Sequence, residues 1–250
     1  MPGDDWALED LIFENREGRR EAGLPVTEEP KDTSEYVERE WGNYNKSIYV
    51  SLDPGKKQDY SALIFLEPFI PFDEGTTRYT YHISRIHRFP LETPYPRIAR
   101  VLKKVHTQLL ENQDIEYVYI CIDVGGVGEA VADQIVELIS DHADIYRFTF
   151  TSGLRPKWHD ARDLSVPKPQ LASTLISLFE SQRLWVAPQD KEQLSVLQDE
   201  LMNYERKITA SGYDKFGAVE KMGAHDDLIS AISMAAYLAE HFGGVGDVFW

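Results

Sequence analysis

The sequence predicts an α/β domain built on one sheet of mixed strand direction, flanked by helices. Three observations lead there. Between residues 48 and 89, short stretches of alternating apolar residues follow one another through short links, which favours antiparallel neighbours. From residue 96 onward, apolar residues at helical spacing alternate with short apolar runs, the pattern of strands joined by helices. Acidic residues stand where two of the strands end and where one helix begins: Asp53, Asp123 and the pair Asp226 and Asp227.

In Ile48–Tyr60, IYVSLDPGKKQDY, Ile48, Val50 and Leu52 face one way and Tyr49 and Ser51 the other, and Asp53 closes the strand before Pro54 and Gly55. YSALIFLE at 60–67 is a second strand and RYTYHISRIHRF at 78–89 a third, after a turn around residues 73–75. A helix over 96–112 carries Ile98, Val101, Leu102, Val105 and Leu109 on one side, with Pro96 suited to its first turn. The strand at 117–122 is almost continuously apolar, so it is buried on both faces. A helix after Gly128 and a strand at 145–150 follow, then a polar, basic loop over 151–168. Leu171, Leu175, Leu178 and Phe179 mark a helix and 184–186 a strand; Leu194, Leu197, Leu201 and Tyr204 mark another helix. Residues 208–219 read as a β-hairpin excursion before the last helix, which spans about 226–241. Residues 1–46 form an acidic leader or linker, 47–242 the folded domain and 243–250 a flexible tail.

Composition limits the function. An apolar content of 42% supports a sizeable core, and no apolar run reaches the roughly 20 residues that span a bilayer, so no membrane is expected. The single cysteine, Cys121, lies inside an apolar strand and reads as an inert buried thiol. A net charge of −16 opposes nonspecific binding to nucleic acid. Half of that excess lies in residues 1–40, which hold 13 acidic residues against 5 basic ones. No Walker A pattern occurs, and GGVGEAV lacks the third glycine of a dinucleotide fingerprint.

Each acidic point has a plain reading. Asp53 suits a turn before Pro-Gly, and Asp226 and Asp227 suit a helix cap. Their coincidence is what points to a site. In α/β sheets, sites gather at the carboxyl ends of adjacent strands, so Asp53 and Asp123 converge if their strands are neighbours. Converging carboxylates are hard oxygen ligands that call for Mg²⁺ or Mn²⁺ rather than zinc, for which no Cys/His set is present. A two-metal site of that kind supports phosphodiester cleavage. Asp59 and His225 are further polar residues near these points. Lys56 and Lys57 beside Asp53, Lys215 in the hairpin, and Arg155, Lys157 and Lys168 with Trp158 in the basic loop are candidate DNA contacts.

Taken together, SLDPGKKQDYSALIF, YICIDVGGVGEAVADQI, VPKPQLASTLISLFESQRLWV and GAHDDLISAISMAAYLA resemble the nuclease domain of phage large terminase subunits, over roughly residues 48–240. The resemblance implies an RNase H-like fold and a two-metal endonuclease that cuts concatemeric double-stranded viral DNA during packaging, in the host cytoplasm. It implies Asp53, Asp123 and the pair Asp226 and Asp227 as metal ligands and catalytic acids. It also implies a terminase ATPase domain, a small terminase subunit and a portal as partners. Two departures stand out. No ATPase motif accompanies the domain, and Ser230 stands where the family often has a further Asp, which favours Asp227 over Asp226 as the third ligand. The rival readings are a RuvC-like resolvase, an actin- or sugar-kinase-like ATP-binding domain, and a docking module without activity.

Overall fold

The computed structural model describes residues 47–55, 59–69, 78–112, 115–139, 144–186, 191–208, 214–218 and 225–242. Lys56, Lys57, the leader over 1–46 and the tail over 243–250 lie outside the described residues, as does the side chain of Lys215.

The chain opens with β1 (Ser47–Asp53), β2 (Ala62–Phe69) and β3 (Thr80–Arg88), paired antiparallel in sequence order. Helix α1 (Tyr95–Glu111) leads to β4 (Tyr117–Asp123), which lies parallel against β1. Helix α2 (Gly128–Ile139) leads to β5 (Asp144–Thr151), parallel to β4. Then come β6 (Lys157–Trp158), β7 (Asp163–Pro167), α3 (Lys168–Glu180), β8 (Leu184–Val186) and α4 (Lys191–Met202). The hairpin of β9 (Tyr204–Ile208) and β10 (Asp214–Ala218) precedes α5 (Asp227–Phe242). The main sheet has the order β6-β7-β5-β4-β1-β2-β3-β8, so the mixed direction expected from the sequence is met.

Period-two alternation divides the core into two layers. Ile48, Val50 and Leu52 of β1 join Val118, Ile120 and Ile122 of β4 beneath α1 and α2. Tyr49 and Cys121 point to the opposite layer, where α3 and α5 pack. Burial on both faces explains the continuous apolar character of β4. Helix α5 is buried nearly all round, with 12 of its 16 residues inside. Its Ala231, Ala235, Ala236 and Ala239 leave room for close approach to the sheet, which is how a helix apolar on every side is accommodated. Among the described residues no helix is long and apolar enough to cross a membrane.

Two segments differ from expectation. The stretch over 151–168 is not one loop, because Leu164 and Val166 are buried and β7 pairs parallel with β5, with β6 antiparallel at the sheet edge. Charged neighbours at 160, 162, 163 and 168 mask this two-residue alternation in the sequence. Tyr204 leaves the helical stripe of α4 and opens β9, where it pairs with Ala218.

Candidate metal centre

The parallel register sets Leu52 beside Ile122, so the next residue on each strand, Asp53 and Asp123, ends neighbouring strands at the same edge. Adjacent strands lie about 4.8 Å apart, close enough for two carboxylates to share one field. Sharp turns carry the chain away from both ends. A Cβ on Gly55 would fall 2.2 Å from the Tyr60 carbonyl oxygen, so only glycine fits that bend. The Gly55 N–H donates to Ser61 Oγ at 3.0 Å, and the Tyr95 hydroxyl donates to the Gly55 carbonyl at 3.0 Å. Gly128 packs as tightly, since a Cβ there would fall 1.8 Å from the carbonyl oxygen of Asp123.

The third contribution is the start of α5. Asp226 and Asp227 line a cleft of about 260 Å³ together with Asp53, Asp59 and His225. Asp123 borders the cleft; its Oδ1 accepts the Gly125 N–H at 2.8 Å, and Gly125 is part of the lining. Two cations and a histidine face these acids. Arg88 Nη2 donates to Asp227 Oδ2 at 3.1 Å, Lys168 Nζ lies 3.7 Å from Asp226 Oδ2, and His225 Nδ1 lies 3.8 Å from Asp227 Oδ2. The Arg88 guanidinium also stacks 3.7 Å over the Tyr60 ring, which meets His225 edge-on at 5.2 Å. Among the described residues, no three Asp, Glu, His or Cys side chains stand close enough together to form a metal-binding group as placed. The carboxylates are instead engaged by Arg88, Lys168 and the Gly125 N–H.

The electrostatics single out Asp53. Burial, then the charges of Asp123, Asp227 and Asp226, push its carboxyl well above the usual range, and Lys168 opposes them. Burial also raises Asp123, against the Gly125 N–H and Lys168, and raises Asp227 against Arg88 and His225. Three aspartates from two other parts of the chain therefore act on Asp53 in a partly dry cleft. Such crowding stores repulsion that a divalent cation relieves, and the all-oxygen donor set fits Mg²⁺ or Mn²⁺. By donor chemistry the residues fit the cation.

The basic candidates fare differently. Lys168 is drawn into the acidic cluster at the first turn of α3. Arg155 and Lys157 are exposed, and β6, which holds Lys157, is three strands from β4. Trp158 is packed edge-on against Phe242 at 4.8 Å, His159 Nε2 is 2.8 Å from Ser165 Oγ, and Arg162 pairs with Asp144 at 2.6 Å. Two residues escaped the sequence. Glu200 on α4 is 4% exposed, lies 3.7 Å from Arg88, and burial pushes its carboxyl up to about 7. It sits three residues after Leu197, an acid on a buried helical stripe, and that was the available signal. Arg88 was marked only by being a charge at a strand end.

No family model matches the chain. Over 186 residues it is 29% identical to the large terminase subunit of Thermus phage G20c, covering 74% of this chain and 30% of that protein. The chain thus spans under a third of that relative's length. In structure it is similar to the human cytomegalovirus terminase nuclease domain in its manganese-soaked form, with a TM-score of 0.52 and 16% identity over 81% of this chain and 87% of that one. A second structure of that domain gives a TM-score of 0.50 at 14% identity, over 80% and 85% of the two chains. The fold is that of a terminase nuclease domain, the RNase H-like architecture that the motifs implied.

Proposed function

We propose that this chain is the nuclease part of a large terminase: a metal-dependent endonuclease that cuts concatemeric double-stranded viral DNA during genome packaging. The observation that carries the reading is the convergence of Asp53, Asp123, Asp226 and Asp227 from two adjacent strand ends and one helix start, with half-buried Asp53 set among the other charges. The similarity to a phage large terminase and the manganese-soaked state of a structural relative support it.

Asp53 and Asp123, with Asp226 and Asp227, would hold two Mg²⁺ or Mn²⁺ ions. Such a pair activates a water and stabilises the leaving oxygen in phosphodiester hydrolysis. The chain's own contribution is placement. The parallel register fixes Asp53 beside Asp123, the glycine bends expose both strand ends, and α5 presents its acidic pair from a rigid, buried helix. Arg155 and Lys157 are exposed cations suited to a DNA backbone as point charges. By family resemblance the partners are a terminase ATPase domain, a small terminase subunit and a portal, in the host cytoplasm.

The test is plasmid digestion with and without Mn²⁺ by the wild type and by Asp53→Ala and Asp123→Ala. Cleavage is expected with Mn²⁺ and is expected to fall at least about 100-fold in either variant. Equal cleavage by wild type and Asp53→Ala sinks the assignment. A strong preference for branched over linear duplex would favour the resolvase reading. Separate Asp226→Ala and Asp227→Ala variants decide which of the pair is the principal ligand, with Asp227 expected to matter more.

A further inference from the structure

An aspartate at a helix N-cap ordinarily turns its carboxylate back to accept the backbone N–H groups two and three residues on. Asp226 holds the N-cap position of α5, since its carbonyl accepts the Ser230 N–H at 2.8 Å. The two N–H groups in question belong to Leu228 and Ile229. Both donate to Glu200 Oε2, at 2.9 and 3.2 Å. Glu200 reaches in from α4, buried, and its Oε1 faces Arg88 Nη2 at 3.7 Å. The Asp226 carboxylate, relieved of the capping role, lines the cleft and faces Lys168.

We propose that Glu200 is a positioning residue of the acidic site: it caps α5 in place of Asp226, leaving the carboxylates of Asp226 and Asp227 directed to the cleft. The proposal rests on reading the cleft as a divalent-metal site. A carboxylate folded back to close the helix end has one oxygen fewer to offer a cation across the cleft, so capping from another helix leaves both oxygens of Asp226 to the cleft. Arg88 extends the effect. It stands between Glu200 and Asp227, at 3.7 and 3.1 Å, so the acid that caps the helix also fixes the cation that orients Asp227. Without Glu200, the ordinary N-cap acceptor for the two N–H groups is the Asp226 side chain, and a carboxylate turned back onto the helix has less to offer the cleft.

Two substitutions of opposite character separate reach from charge. In Glu200→Gln the amide oxygen still reaches both N–H groups; in Glu200→Asp the charge remains but the side chain is one methylene too short. Mn²⁺ binding to the full chain is measured by isothermal titration calorimetry, with thermal melts to establish folding and Asp53→Ala as the control. Glu200→Gln is expected to bind within about threefold of wild type, and Glu200→Asp at least about tenfold more weakly. Glu200→Asp binding like wild type overturns the proposal, as does equal weakening of both variants. A third variant works even if Glu200→Asp fails to fold. Asp226→Ala removes no cap if Glu200 is the cap, so its melting temperature is expected to equal or exceed that of wild type. A fall of about 3 °C or more would mean that Asp226 caps its own helix. Wild type that binds no Mn²⁺ while Asp226→Ala melts normally removes the metal reading and leaves the capping intact.

Discussion

Arg88 lies 3.1 Å from Asp227, a residue 139 positions later in the chain, and its guanidinium stacks on Tyr60 while also facing Glu200. One cation thereby serves two carboxylates, with only 13% of the arginine side chain exposed. Arg88→Ala leaves both acids buried without their partner, which is expected to lower unfolding stability by roughly 3–5 kcal/mol. Urea unfolding measures this. Added Mn²⁺ is expected to restore more stability to Arg88→Ala than it adds to wild type, because a divalent cation supplies the missing charge.

The raised carboxyls give stability a defined pH dependence. Burial lifts Glu200 from an ordinary 4.5 to about 7, so the folded state holds a proton that the unfolded chain releases. Its stabilising contribution is therefore complete below pH 4.5 and is lost as pH rises to about 7, by up to about 3 kcal/mol. Asp53, Asp123 and Asp227 are raised too and act in the same sense. Glu240 acts in the opposite sense: burial would raise it, but Arg183 and Tyr81 hold it low, so its contribution fades only as pH falls below the usual carboxylate range. In EDTA, urea midpoints are expected to decline between pH 5 and 7.5, and Glu200→Gln is expected to flatten that decline. An unchanged slope in Glu200→Gln would assign the dependence to the aspartates alone.

Gly128 tests the close approach that fixes Asp123. A Cβ there would lie 1.8 Å from the Asp123 carbonyl oxygen and 2.8 Å from its carbon, and backbone atoms at the end of a central strand have no room to yield. Gly128→Ala is expected to cost at least about 2 kcal/mol and to reduce cleavage by moving Asp123. Gly153→Ala is the control. Its Cβ would meet only Thr151 Oγ1, at an ordinary 3.5 Å, so stability is expected to change by less than about 0.5 kcal/mol.

What the sequence disclosed, and what it hid, follows from the range of the interactions involved. Alternation in Ile48–Asp53 and the apolar run at 117–122 exposed the central strands, because burial on one or both faces leaves a periodic trace in residue type. The strand ends then marked Asp53 and Asp123. The Arg88–Asp227 pair and the Glu200 cap leave no such trace, since each joins elements that only the folded chain brings together. Asp226 is the instructive residue. Its sequence context predicts a helix cap, and locally that is sound chemistry, yet a carboxylate 26 positions earlier performs the capping. Strand β7 leaves little trace for a simpler reason: its alternating buried pair, Leu164 and Val166, is too short to stand out among charged neighbours.

Lys168 decides between two roles for the basic segment. The sequence offered it as a DNA contact, but its Nζ lies 3.7 Å from Asp226 and its charge opposes the burial of Asp53 and Asp123. A lysine that neutralises a phosphate adds about 0.9 to the slope of log affinity against log salt, and one held among carboxylates adds nothing. Lys168→Met in an Asp53→Ala background, binding labelled duplex in a fluorescence anisotropy titration over 50–200 mM salt, is therefore expected to keep the parent slope. Arg155→Ala with Lys157→Ala, which removes two exposed cations, is expected to lower the slope by up to about 1.8. A reduced slope for Lys168→Met would return Lys168 to the DNA surface and leave Arg88 as the cation paired with the acidic cluster.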